Sequence, residues 1–265
     1  MSADQSTRNI LIFEDADEVA RSAARRFVDL AHESIEARGR FSVALAGGST
    51  PKRIYELLAG EDLSGQIKWP NVHIFFGDER CVPPNDDQSN YRMAHEALLS
   101  RVNLPEENVH RMRGESDAVA NARLYEDEMR SFFGDENWPQ FDLVMLGMGD
   151  DGHTASLFPG TSALEVKQAW VTSNWVEKFN TYRITLTAPA INHARHIMFI
   201  VTGAGKADRL EEVLYGAQDT ERLPSQLIRP DEGALEWFLD EAAAAKVKER
   251  MKDGGNVDFG MRIAD

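Results

Sequence analysis

Short apolar runs of strand length alternate along this chain with longer stretches in which apolar residues recur at helical spacing. Val19, Ala23, Phe27, Leu30, Ala31 and Ile35 fall on one stripe and predict an early amphipathic helix. Residues 41–46 read as a strand, and beyond Gly47-Gly48-Ser49-Thr50-Pro51 a helix runs through Ile54, Leu57 and Leu58. Residues 72–76 form another β-rich run that breaks into Gly77-Asp78-Glu79-Arg80, and helical patterns recur over 91–99 and 118–133. The continuous apolar run 141–146 is the mark of a parallel strand covered on both faces. Residues 183–187 and 197–201 read as further strands, with a helix from about 206 to 215. Residues 237–240 and the alanine run 242–245 predict a last strand and a closing helix. Strands alternating with helices predict βαβ units. The expectation is one doubly wound, Rossmann-like α/β domain over 1–265, with a mainly parallel sheet and helices on both faces. The tail from about residue 253 lacks periodicity and is expected to be loosely held.

At 265 residues and 42% hydrophobic content the chain can bury a substantial core, and no repeat or low-complexity linker divides it. A net charge of −15 argues against nucleic acid or an anionic membrane as partner, since both require a basic surface. A phosphorylated small molecule stays compatible with it, because backbone N–H groups and a few cations suffice to hold a phosphate. Cys81 is the sole cysteine, which excludes a disulfide framework and a cysteine-based metal cluster. The N-terminal residues have no signal-peptide core, and no apolar stretch approaches the roughly 20 residues of a membrane span. A cytoplasmic protein is expected, and nothing in the pattern fixes an oligomeric state.

The candidate chemistry sits where predicted strands end. The strand 141–146 runs into Gly147-Met148-Gly149-Asp150-Asp151-Gly152-His153, and ligands of open α/β sheets lie beyond the carboxyl ends of strands. A histidine there, two residues past Asp151, is placed for acid/base work. The same segment matches G-x-G-x-x-G, but Pro159 leaves no room for the crossover helix of a dinucleotide site. No nicotinamide or flavin is therefore expected. Nor do the other histidines show metal-ligand spacing, so no metal and no cofactor are expected. In the turn 47–51, Thr50 reads as N-cap and Pro51 as first helical residue, leaving Gly48, Ser49 and Thr50 to meet an anion or merely to close an ordinary βα turn. Lys206 opens a helix, a position the helix dipole disfavours, so it reads as a phosphate point charge or as a solvated surface lysine. Arg80 can clamp a phosphate or pair with Asp78, Glu79, Asp86 or Asp87. Cys81, with no evident base beside it, is assigned to packing.

Four motifs occur in one order: Ala46-Gly-Gly-Ser-Thr-Pro51, Phe76-Gly-Asp-Glu-Arg80 with Ser89-Asn90-Tyr91, the segment 147–159, and Thr202-Gly-Ala-Gly-Lys206. Together they resemble the 6-phosphogluconolactonases, in the superfamily that includes glucosamine-6-phosphate deaminase, over roughly residues 19–245. The resemblance implies a Rossmann-like fold without nucleotide and the substrate 6-phospho-D-glucono-1,5-lactone of the pentose phosphate pathway. It implies His153 as catalytic histidine and Gly48, Ser49, Thr50, Arg80 and Lys206 as holders of the 6-phosphate. The alternative within the superfamily is the deaminase. Its pattern carries a glutamate where this chain has Phe158, whereas the aspartate at Asp78 is common to both and does not discriminate. A non-catalytic sugar-phosphate sensor is a third reading, and the chain has no basic DNA-binding stretch to accompany it.

A lactone is an ester, so its hydrolysis needs an activated water and support for an oxyanion. The expected mechanism has His153 take a proton from water attacking C1 and return it to the ring oxygen. Asp151 would orient the imidazole, and glycine-rich backbone over 147–152 would supply oxyanion donors. No serine or cysteine is evidently paired with a base, so no covalent intermediate is expected.

Overall fold

A computed structural model describes residues 8–134, 137–230, 232–252 and 260–263. In chain order the strands and α-helices are β1 (Arg8–Phe13), α1 (Ala16–Arg38), β2 (Phe41–Leu45), α2 (Ser49–Leu58), α3 (Glu61–Ser64), β3 (Val72–Phe76), β4 (Asp78–Arg80), α4 (Asn90–Ala97), α5 (Ala118–Phe133) and β5 (Leu143–Leu146). They continue as β6 (Val171–Val176), β7 (Thr181–Leu186), α6 (Ala188–Asn192), β8 (His196–Val201), α7 (Ala207–Tyr215), β9 (Ala234–Asp240), α8 (Ala245–Lys252) and β10 (Gly260–Ile263).

The main sheet has seven strands in the order β10-β1-β9-β8-β5-β2-β3, all pairs parallel. Every position of β2 and β5 is buried. Successive side chains of a strand point to opposite faces, so both faces of the sheet are covered. From β2 the chain moves outward to β3, then returns to place β5 on the other side of β2 and winds away through β8 and β9. The switch point, where open sheets form a crevice, thus lies between β2 and β5. The long first helix follows its stripe: Val19, Ala23, Phe27, Leu30 and Ala31 are buried, Asp15 caps the start through the Glu18 N–H, and Gly39 ends it at φ 77°.

Several elements depart from the pattern read along the chain. The run Arg8–Phe13 is a full strand pairing with both β9 and β10. Residues 183–187 do not join the main sheet. Residues 183–186 lie in β7, which pairs antiparallel with β4 and β6 in a separate three-stranded sheet. The physical reason is the short turn Glu177–Phe179 between β6 and β7, because strands joined so tightly must run antiparallel. Strand β9 starts three residues before Trp237, and residues 241–244 form a turn that delays α8 to Ala245. Asp240 accepts from the Ala243 and Gly203 N–H groups and so ties that turn to the loop after β8. Of the tail, residues 253–259 and 264–265 lie outside the described residues, while Gly260–Ile263 pair with β1.

An aromatic cluster packs α5 onto the sheet: Phe75 stacks on His110 at 4.1 Å, and Phe132 and Phe133 contact Phe75. His73 lies at its edge, with Nδ1 3.3 Å from His110 Nε2. Burial first, then the charges of His110 and Arg40, push the His73 imidazole down from 6.5 to about 4. Between those values the unfolded chain binds a proton that the folded chain refuses. This contribution to stability is therefore complete above pH 6.5 and is lost as the pH falls to about 4. Thermal melts across that window should show Tm falling toward acid, with a shallower fall in His73→Gln.

Candidate active site

Four loops leave the carboxyl ends of β2, β3, β5 and β8 on the same side of the sheet. They and the β6–β7 hairpin enclose a cavity of about 320 Å³. Gly47 and Gly48 line it from β2, Asp78 and Arg80 from beyond β3, Gly147 to Gly149 and His153 from β5, and Lys206 from β8. Met145, Leu146, Phe158 and Phe179 supply apolar wall.

The loop after β5 is folded around one hydrogen bond. His153 Nδ1 lies 2.5 Å from Asp151 Oδ1, which also accepts from the His153 backbone N–H. Burial opposes ionisation of Asp151, but the bonds and charge of His153, with Lys178 at 3.3 Å from Oδ2, outweigh it and hold the carboxyl well below the usual range. An ionised Asp151 makes Nδ1 the protonated nitrogen of a neutral ring and leaves Nε2 as the accepting one. Gly149 explains the tight turn: a Cβ there would fall 2.0 Å from His153 Nδ1. Gly152 sits at φ 84°, and its carbonyl accepts from both the N–H and hydroxyl of Ser225. Ala155 holds a left-handed φ of 47°, a conformation that costs about 1 kcal/mol for a residue with a Cβ. The Phe158 ring stacks on the imidazole at 4.0 Å and 26°. Gly149 N–H donates to the His153 carbonyl and Gly152 N–H to the Gly149 carbonyl. Those two N–H groups are thus engaged within the loop and are not spare oxyanion donors. No crossover helix follows Gly152: the chain continues irregularly to a 3-10 turn at Ser162–Glu165.

The Gly77 segment acquires a structural logic from Glu79, which is 2% exposed. Its carboxylate accepts from the N–H groups of Arg80, Asn90 and Tyr91 and from the Ser89 hydroxyl, so it seats the start of α4. Asp78 accepts from Ser156 Oγ at 2.6 Å and from Asn90 Nδ2 at 3.2 Å. The Arg80 guanidinium donates to the Gln88 carbonyl and, among the described residues, makes no ion pair with the neighbouring aspartates or Glu79. Burial pushes the Cys81 thiol up to about 11, in keeping with packing.

The turn after β2 differs from its sequence reading. Gly48, at φ 109°, is the N-cap and the helix starts at Ser49, so Thr50 is not the cap and Pro51 is the third helical residue. A proline is tolerated there because the N–H groups of a first turn lack intrahelical partners. The Thr50 hydroxyl bonds instead to Thr202 Oγ1 at 2.9 Å, joining the β2 and β8 loops. Ser49 does not line the cavity but a second recess of about 360 Å³ that shares Gly48, Arg80 and Asn90 with it. Lys206 reaches the cavity and pairs with Asp150.

Residues 14–237 match the family model of glucosamine-6-phosphate isomerases/6-phosphogluconolactonase. The chain belongs to this family. It is 42% identical to a 6-phosphogluconolactonase of Nostoc sp. over 217 residues, covering 81% of this chain and 88% of that one. A 6-phosphogluconolactonase of Haemophilus influenzae is 38% identical, with 76% and 85% covered. Among solved structures, a 6-phosphogluconolactonase from Trypanosoma cruzi superposes with TM-score 0.83 at 30% identity, covering 93% of this chain and 99% of that one. A monomeric glucosamine-6-phosphate deaminase shares the fold at TM-score 0.75 and 20% identity, with 90% and 99% covered.

Arg183 belongs to none of the four motifs, yet it lies directly across from Arg80 in the β4–β7 ladder and lines the cavity. It is 7% exposed, and among the described residues its side chain has no ion pair or hydrogen bond. Burial, then the Arg80 charge, lower its guanidinium from the ordinary value. The signal in the sequence is a charged residue inside a short β-rich run, third in β7 and followed by the buried Ile184. Such a cation, held dry beside a second one, is poised for an anion.

Replacing Glu79 by alanine should cost about 3 kcal/mol, because three N–H groups and a hydroxyl lose their buried acceptor. A lowered Tm is the expected result in thermal melts.

Proposed function

We propose that the chain hydrolyses 6-phospho-D-glucono-1,5-lactone to 6-phosphogluconate, with His153 as general base. The observation that carries the reading is the Asp151–His153 pair set in a cavity whose wall holds three cations, Arg80, Arg183 and Lys206. The Nostoc, Haemophilus influenzae and Trypanosoma cruzi proteins, each at least 30% identical to this chain, are named 6-phosphogluconolactonases, which supports the same substrate.

Nε2 of His153 takes a proton from water as the water oxygen bonds to C1. The C1–ring oxygen bond then breaks, and the imidazolium returns the proton to that oxygen. Asp151 accepts from Nδ1 throughout, which fixes the ring and stabilises its charged form. Phe158 covers one face of the imidazole and keeps water to the open side. The phosphate is assigned to Arg80, Arg183 and Lys206, with the Gly48 turn beside them; Ser49 lines the recess that shares Gly48 and Arg80, and the Thr50 hydroxyl is engaged with Thr202. Asp150 would yield Lys206 to the incoming phosphate.

The deaminase reading requires a carboxylate near the histidine at position 158, and there the chain places an aromatic ring in stacking contact. Asp78 lines the cavity and accepts from Ser156 and Asn90, an arrangement compatible with either reading.

Freshly generated lactone should open well above a no-enzyme blank, while glucosamine 6-phosphate releases no ammonia. Ammonia without lactone opening would overturn the reading. His153→Ala should lose on the order of 100-fold or more in turnover. Arg183→Gln and Lys206→Ala should instead raise KM for the phosphorylated lactone. They should leave an unphosphorylated lactone almost unaffected, and equal losses on both would contradict the phosphate assignment.

A further inference from the structure

The β6–β7 hairpin reaches over the cavity from the small antiparallel sheet, and its tip, Glu177 to Asn180, bears on the Asp151–His153 pair at two points. Lys178 Nζ lies 3.3 Å from Asp151 Oδ2, the oxygen opposite the one that receives His153. Phe179 packs edge-on against Phe158 with centroids 5.7 Å apart, and Phe158 is the ring that stacks on His153. The tip is held in this pose: Asn180 turns the chain at φ 48°, ψ 44°, and the Arg183 guanidinium lies 5.3 Å from the Phe179 centroid. Phe179 nevertheless stays 46% exposed at the cavity wall, although a large aromatic ring gains most from full burial.

We propose that this hairpin tip is a positioning element of the active site, Lys178 steering Asp151 and Phe179 wedging Phe158 against the imidazole. The inference rests on the reading of His153 as the base. Asp151 Oδ1 is held by the ring and backbone N–H of His153, and the cation on Oδ2 adds a contact to the other oxygen of the carboxylate. The other charged groups near the loop have partners of their own. Asp150 pairs with Lys206, Arg209 donates to the Asp150 carbonyl and pairs with Glu212, and Glu177 accepts from Trp175. Arg183 packs on Phe179, and Asp78 is bound by Ser156 and Asn90. Lys178 is thus, among the described residues, the cation in direct contact with the carboxylate of the pair.

In Lys178→Met, Asp151 loses its neighbouring cation, so the acid limb of the kcat/KM profile should move to higher pH. The value of kcat should fall several-fold, with KM for the phosphorylated lactone nearly unchanged. Lys178→Arg should restore both the limb and the rate. Phe179→Ala should lower kcat without moving the limb, and Phe179→Leu should recover most of the loss. The titration of the His153 ring followed by NMR in the absence of substrate gives a readout independent of activity, and it should move upward in Lys178→Met. If neither the limb nor that titration moves, the positioning role falls. If the ring titration moves while the unmodified protein opens no lactone, the hairpin inference stands and the assigned reaction falls.

Discussion

The hydrogen bond between Asp151 and His153 is useful only if neither side chain can turn away, and much of the structure constrains that pair. Gly149 brings its backbone closer to the imidazole than any Cβ would permit, and Ser225 fastens the Gly152 carbonyl from the opposite side. Ser156 anchors the far end of the loop on Asp78, and its carbonyl accepts from the Asn174 amide, which ties the same point to β6. The left-handed Ala155 persists because these bonds over-determine its neighbours. A bond of this kind gains strength from partial burial, since the same low polarity that makes an unpaired ion costly strengthens a paired one.

The second constraint is electrostatic. A chain with net charge −15 repels anions at long range, yet the cavity wall gathers Arg80, Arg183 and Lys206. Two of them face each other across a strand pair, where like charges are unfavourable without an anion between them. The small sheet exists where the chain turns at Gly77 out of β3: Gly77 N–H donates to the Leu45 carbonyl and its own carbonyl accepts from the Leu186 N–H, so one residue joins both sheets. The architecture therefore positions the two arginines by backbone hydrogen bonds, while the Asp151–His153 pair is held mainly by side chains.

The parallel core is legible in the apolar pattern of the chain. Residues 41–45, 72–76, 143–146 and 197–201 all lie in strands of the main sheet, because buried parallel strands are written as near-continuous apolar runs, here interrupted only at Ser42 and His73. The strand Arg8–Phe13 carries the same signal in Ile10 to Phe13, in a shorter run that is easily passed over. Strand β6 carries none, since its Thr-Ser-Asn centre alternates weakly and its stability comes from pairing with β7. The cap of α2 shows how a local preference is overridden. Thr50 has the side chain of a good capping residue, but its hydroxyl is taken by Thr202 on a loop distant in the chain.

The sequence by itself determined the βαβ rhythm, the strand ends at which chemistry collects, and the local pair Asp151 and His153, because these depend on periodicity and on residues close together in the chain. Only the tertiary structure decided which groups stand opposite them. Arg183 faces Arg80, Lys178 reaches Asp151, and Phe179 backs Phe158, all through one antiparallel hairpin whose register no local pattern records. Strand pairing is a contest between distant segments for the same hydrogen-bonding edge, and its outcome is set by packing across the whole fold rather than by any window of sequence.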